Sequence, residues 1–132
     1  AGKKFAYLAD RKLNYKDLET LPVMCLEGNT STRAYVEGFL RENGVHLQPE
    51  FELATSDMLI RFAMRGFGIA GVAEDFALEA MEKGEIFRLH FDREIPKRHF
   101  CIVTDEKVPM TAAARRFLDL LEDKCTPDKH KS

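Results

Sequence analysis

Between residues 23 and 84 a short apolar run gives way three times to an amphipathic stretch that opens on capping or acidic residues. "VMCLE", 23–27, leads through "GNTST" into "TRAYVEGFLRENG". "EFELA", 50–54, leads into "TSDMLIRFAMRG", and "IAGVA", 69–73, into "EDFALEAMEKGE". Each apolar run is too short for a helix and suits a buried strand. Strands that alternate with helices are joined by crossovers, so neighbours run the same way. The pattern therefore predicts an α/β fold with a mainly parallel sheet flanked by helices.

The helices carry their own punctuation. In "TRAYVEGFLRENG" the residues Tyr35, Val36, Phe39 and Leu40 share one face, and Gly44 is placed to end the helix. Glu37 and Arg41 are four apart in the order that favours an ion pair. Thr55 or Ser56 can cap the next helix, Asp57 suits its positive end, and Arg61 and Arg65 share a solvent side. Glu74 and Asp75 open the third helix and Gly84 closes it. Asn14 can cap a short helix that stops before Pro22. "IFRLHF", 86–91, and "HFCIVTD", 99–105, read as strands joined by the loop "DREIPKR". "PMTAAARRFLDLLEDK" reads as an amphipathic helix with Thr111 as a cap and Ala114, Phe117, Leu118 and Leu121 on one stripe. The end, "KCTPDKHKS", is polar and reads as a solvated tail.

Gly66, Gly68 and Gly71 spell G-x-G-x-x-G, the letters of a dinucleotide-binding turn. That turn needs a strand before the glycines and a helix beginning inside them, so that helix amides face the pyrophosphate. Asp92 follows at a distance that suits a ribose contact. The upstream stretch "SDMLIRFAMR" has a helix cap and arginines at helical spacing, and a central strand there would bury Arg61 or Arg65. The order expected is helix, glycines, strand. Gly66 then ends a helix at positive φ, Gly68 permits a tight strand entry, and Gly71 permits close packing. The alternative is a nucleotide-cofactor enzyme using residues 66–71, and it requires a strand at 56–65.

The 132 residues suffice for one domain, and a formal net charge of −2 gives no basic nucleic-acid surface. Cys25, Cys101 and Cys125 are odd in number and dispersed, which suits reduced thiols in a cytosolic protein. No apolar run reaches the ~18 residues of a membrane span, and no signal peptide is visible. The chain opens without Met and reads as a piece of a longer protein. The sequence holds no nucleophile elbow, P-loop or H-E-x-x-H motif, so we expect neither an enzyme nor a cofactor. His99 and Cys101 alternate on one strand but lack further clustered ligands, so no metal is expected.

The stretch with most chemistry is "EGNTSTR", 27–33, where a strand ends and a helix begins. Ligands in open α/β sheets favour the carboxyl ends of strands, and helix-start amides attract anions. Asn29, Thr30, Ser31 and Thr32 can add side-chain donors and Arg33 a fixed charge, which suits a carboxylate or another small anion. One hydroxyl is needed simply to cap the helix. "ATSD", 54–57, repeats the arrangement and reads first as a cap.

Three blocks, "LETLPVMCLEGNTSTRAYVEGFLRENGV", "FELATSDMLIRFAMRGFGIAGVAEDF" and "GEIFRLHFDREIPKRHFCIVTDEKVPMTAAARRFLDLL", resemble in order the later part of a LysR-type transcriptional regulator's effector domain. The strand after "LP", the S/T-x-R turn, the G-x-G-I-A segment and the "AARRFLDLL" helix carry the resemblance over about residues 5–122. Ala73 stands near a place where the family often has proline.

The resemblance implies a periplasmic-binding-protein-like (type 2) fold of two α/β subdomains with a small-molecule effector in the cleft. Residues 1–132 would be one partial effector-binding domain, with about 21–105 as the second subdomain and 110–124 as the helix closing the first. It implies a cytoplasmic regulator of transcription that forms dimers or tetramers. DNA would be bound only through an N-terminal domain missing from this sequence. It assigns effector contacts to Asn29, Thr30, Ser31, Thr32 and Arg33, and a cleft-lining place to Phe67. A free-standing small-molecule binding protein of the same fold is the other reading.

Overall fold

A computed structural model describes residues 1–99, 101–105 and 107–125. The chain divides into two compact units, Ala1–Lys97 and the part from Arg98 onward. The first unit holds a three-stranded sheet built from β2 (Val23–Leu26), β3 (Phe51–Leu53) and β4 (Ile69–Ala70), with β2 in the centre. Both pairings are parallel, Cys25 opposite Glu52 and Val23 opposite Ile69. A two-stranded parallel sheet pairs β1 (Lys12–Leu13) with β5 (His90–Phe91). The parallel α/β architecture expected from the alternation is present.

All four residues of β2 are buried, as a central parallel strand requires. Its side chains alternate between two cores. Met24 and Leu26 join Leu59, Ile60 and Ala63 of α2 (Ser56–Met64) and Ala77 and Ala80 of α3 (Glu74–Glu82). Val23 and Cys25 join Phe5, Leu8, Leu13 and Ile69 on the other face. Leu40 of α1 (Ser31–Glu42) packs in a third cluster with Tyr15 and Val45.

The caps form where the sequence places them. Thr30 Oγ1 accepts from Arg33 N at 3.2 Å, Thr55 Oγ1 from Met58 N at 3.3 Å, and Asn14 Oδ1 from Lys16 N at 3.0 Å. The segment behind Asn14, Tyr15–Glu19, is a 3-10 helix with a reciprocal capping box through Asp17. Gly44, Gly66 and Gly84 end their helices at positive φ.

Several expectations are corrected. Of 86–91 only His90–Phe91 is a strand, and the described residues of 99–105 form none. Lys12–Leu13 is a strand, and Lys3–Leu8 a 3-10 helix, where none was expected. Two-residue strands exist through a distant partner, so local pattern does not announce them. In the second unit, α4 (Ala112–Cys125) forms, with Thr111 Oγ1 accepting from Ala114 N at 3.2 Å. Phe117 on its expected stripe is exposed. The tail beyond residue 125 lies outside the described residues.

Candidate functional site

Because β2, β3 and β4 are parallel, their carboxyl ends lie on one edge of the sheet, and α1, α2 and α3 all begin there. The turn after β2 is held by Glu27 N donating to Leu53 O at 3.1 Å and Thr30 N donating to Glu27 O at 3.1 Å. Thr30 Oγ1 also donates to Glu27 O at 3.0 Å. The hydroxyl of Thr30 therefore has two structural tasks, as cap acceptor and as turn donor. Asn29 and Ser31 are exposed and Thr32 is half-buried on the same edge.

Arg33 differs from the fixed surface charge expected of it. It is the buried charged residue of this edge, 7 % exposed. Its Nη1 donates to Leu26 O at 2.8 Å and lies 3.2 Å from Glu52 Oε1. Its Nη2 lies 2.6 Å from Glu37 Oε1. Burial works against this charge, but the hydrogen bond with Glu37 and the fields of Cys25, Glu37 and Glu52 outweigh it and raise the guanidinium pKa. Glu37 thus pairs one turn back with Arg33 instead of forward with Arg41, because the buried cation needs an acceptor and the exposed one has water. Arg33 holds α1 onto the ends of β2 and β3.

Beside Arg33 lies a small pocket walled by Cys25, Leu26, Thr32, Arg33, Val36 and Gly71. Burial, first of all, pushes the Cys25 thiol up, against Arg33 and with Glu37 and Glu52. Cys25 is therefore a protonated wall group, whereas Cys101 is exposed. Iodoacetamide at neutral pH is expected to label Cys101 in the native protein and to leave Cys25 unlabelled until denaturant is added. Peptide mapping by mass spectrometry checks this, and native labelling of Cys25 would contradict its burial.

Phe67 is not brought to this edge. It precedes β4, stands 6.2 Å from Phe51 at the start of β3 and 5.2 Å from Phe62, and so lies at the amino ends of the strands. It belongs to an aromatic cluster on the opposite edge from Asn29–Arg33.

The glycine motif also resolves. Residues Ser56–Met64 before it are helical, and the following helix begins at Glu74, so no helix amide faces the glycines. This is the arrangement that excludes a dinucleotide turn. Gly68 is constrained by packing: a Cβ there would meet Pro22 O at 2.5 Å. Gly71, expected to pack closely, has open space where a Cβ would stand. Among the described residues no group of His, Cys, Asp and Glu could hold a metal ion, and His99 and Cys101 do not share a strand.

The LysR substrate binding domain profile matches residues 5–126. The chain belongs to the LysR substrate binding domain family. LysR substrate binding domains have a periplasmic-binding-protein-like fold and serve transcription regulators that sense small-molecule effectors, and the parallel sheet here agrees with that fold. No curated protein matches the chain at a significant level. Among the described residues, no helix of this LysR family member is long and apolar enough to cross a membrane.

Proposed function

We propose that this chain senses a small carboxylate or comparable anion at the turn of residues 29–32, as part of a cytoplasmic LysR-type regulator. The observation that carries the reading is the position of that turn, at the carboxyl end of the central strand and the start of a 12-residue helix. Such a helix start offers amides and a dipole to an anion. Asn29, Ser31 and Thr32 line the approach, Thr30 shapes the turn, and Arg33 braces it from behind. The regulator contacts DNA through a separate domain and works as a dimer or tetramer. Residues of about 21–105 act as the second subdomain and 110–124 as the helix closing the first. Exposed Val108, Phe117 and Leu120 support that last assignment, since an apolar stripe needs a surface to cover it.

Thermal shift of the full chain with acetate, propionate and sulfate tests the site. Ser31→Ala is expected to weaken the responding anion about tenfold, the value of one hydrogen bond to a charged group, with unfolding unchanged without ligand. Thr30→Ala is expected to cost about 1 kcal/mol of stability through the lost cap. An unaltered anion response in both variants would place the ligand elsewhere.

A further inference from the structure

Arg33 has one donor left over. Its Nη1 and Nη2 are occupied by Leu26 O, Glu52 and Glu37, yet its Nε is buried and has no acceptor among the described residues. A buried N–H left without an acceptor is costly, so native proteins supply one, often from water or a ligand. Arg33 forms part of the wall of the pocket with Cys25, Leu26, Val36 and Gly71, and its side chain is 7 % exposed. The cavity measures about 20 Å³, room for one water-sized atom. Its wall is otherwise mostly apolar, and the open space at Gly71 leads to it.

The charge of this corner decides what kind of atom fits. One guanidinium already faces two carboxylates, Glu37 and Glu52. A third carboxylate on Nε would meet net negative surroundings, whereas a hydroxyl or carbonyl oxygen would accept the bond without that repulsion. We infer that the Arg33 Nε pocket takes a neutral oxygen of the effector, so that the ligand is a hydroxy acid or an oxo acid. This rests on the carboxylate reading of the neighbouring turn. The carboxylate meets the start of α1, and the neutral oxygen enters between Val36 and Gly71 and replaces the water that otherwise satisfies Nε.

Paired probes that differ by one oxygen test the inference. Calorimetric titration of the full chain would compare lactate and pyruvate with propionate, and 3-hydroxybutyrate with butyrate. At least one oxygenated acid is expected to bind tenfold or more tightly than its partner, because a site built around a hydrogen bond rejects the analogue lacking it. Gly71→Leu fills the cavity mouth from a position where a side chain meets nothing, and is expected to bring that ratio to about one. Arg33→Lys should do the same, but it also disturbs the ion pairs, so Gly71→Leu is the deciding variant. Equal affinity within every pair would overturn this inference and leave the carboxylate site standing. No binding by any probe would overturn both. A ratio that survives Gly71→Leu would place the oxygen elsewhere and overturn the inference alone.

Discussion

Arg33→Ala lowers the stability of the first unit by about 3 kcal/mol, the low end for removing one partner of a buried ion pair. In a chain of this size that is a fall in Tm of about 12 °C. Three groups lose their donor together: Leu26 O, Glu37 and Glu52. The carboxylates are 31 % and 49 % exposed, so they regain water, which keeps the cost from rising further. Leu26 is buried and its carbonyl has less recourse. Arg33→Lys should recover part of the loss, since an ammonium reaches one carboxylate but cannot fork between acceptors. Calorimetric melting of both variants checks this. A loss under 1 kcal/mol in Arg33→Ala would show that Arg33 behaves as a replaceable surface charge.

Gly68→Ala is expected to cost about 2–3 kcal/mol by overpacking, while Gly71→Ala leaves stability within about 0.5 kcal/mol. The added methyl at 68 would stand 2.5 Å from Pro22 O and 3.0 Å from Met24 Cγ. Pro22 O accepts from Ile69 N at 2.9 Å, so it cannot retreat without opening the junction of β2 and β4. The methyl at 71 meets nothing and reduces unfolded-state freedom. Urea unfolding of the two variants separates these roles, with the midpoint shifting at constant slope. Equal effects at both positions would refute the packing account of this motif.

The contrast between those glycines shows where sequence reading succeeds and stops. Thr30, Thr55 and Asn14 were legible as caps because a cap acts on amides two or three residues away. Gly66 was legible because a helix end demands positive φ locally. Gly71 and Gly68 were not separable, since what crowds a glycine is a neighbouring strand. Arg33 was read as exposed because arginine usually is, and its burial depends on Glu52, nineteen residues away on β3. Phe67 was misplaced for a related reason. Its edge of the sheet follows from strand direction, which the motif letters omit. The turn at 29–32 was legible as a candidate because a strand end, a helix start and hydroxyls coincide in sequence.

The order of the strands has a consequence for how the chain reaches this structure. No strand pairs with its immediate successor across a tight hairpin: β2 waits for β3 and β4, and Lys12 waits for His90. Every rung therefore closes a loop that contains at least one helix, and the loop entropy is lost before the rung forms. Refolding should be slow for the domain's size. On a ribosome, the amino-terminal segment would stay unpaired until residues near 90 emerge, leaving Phe5, Leu8 and Leu13 exposed to other chains in the interval.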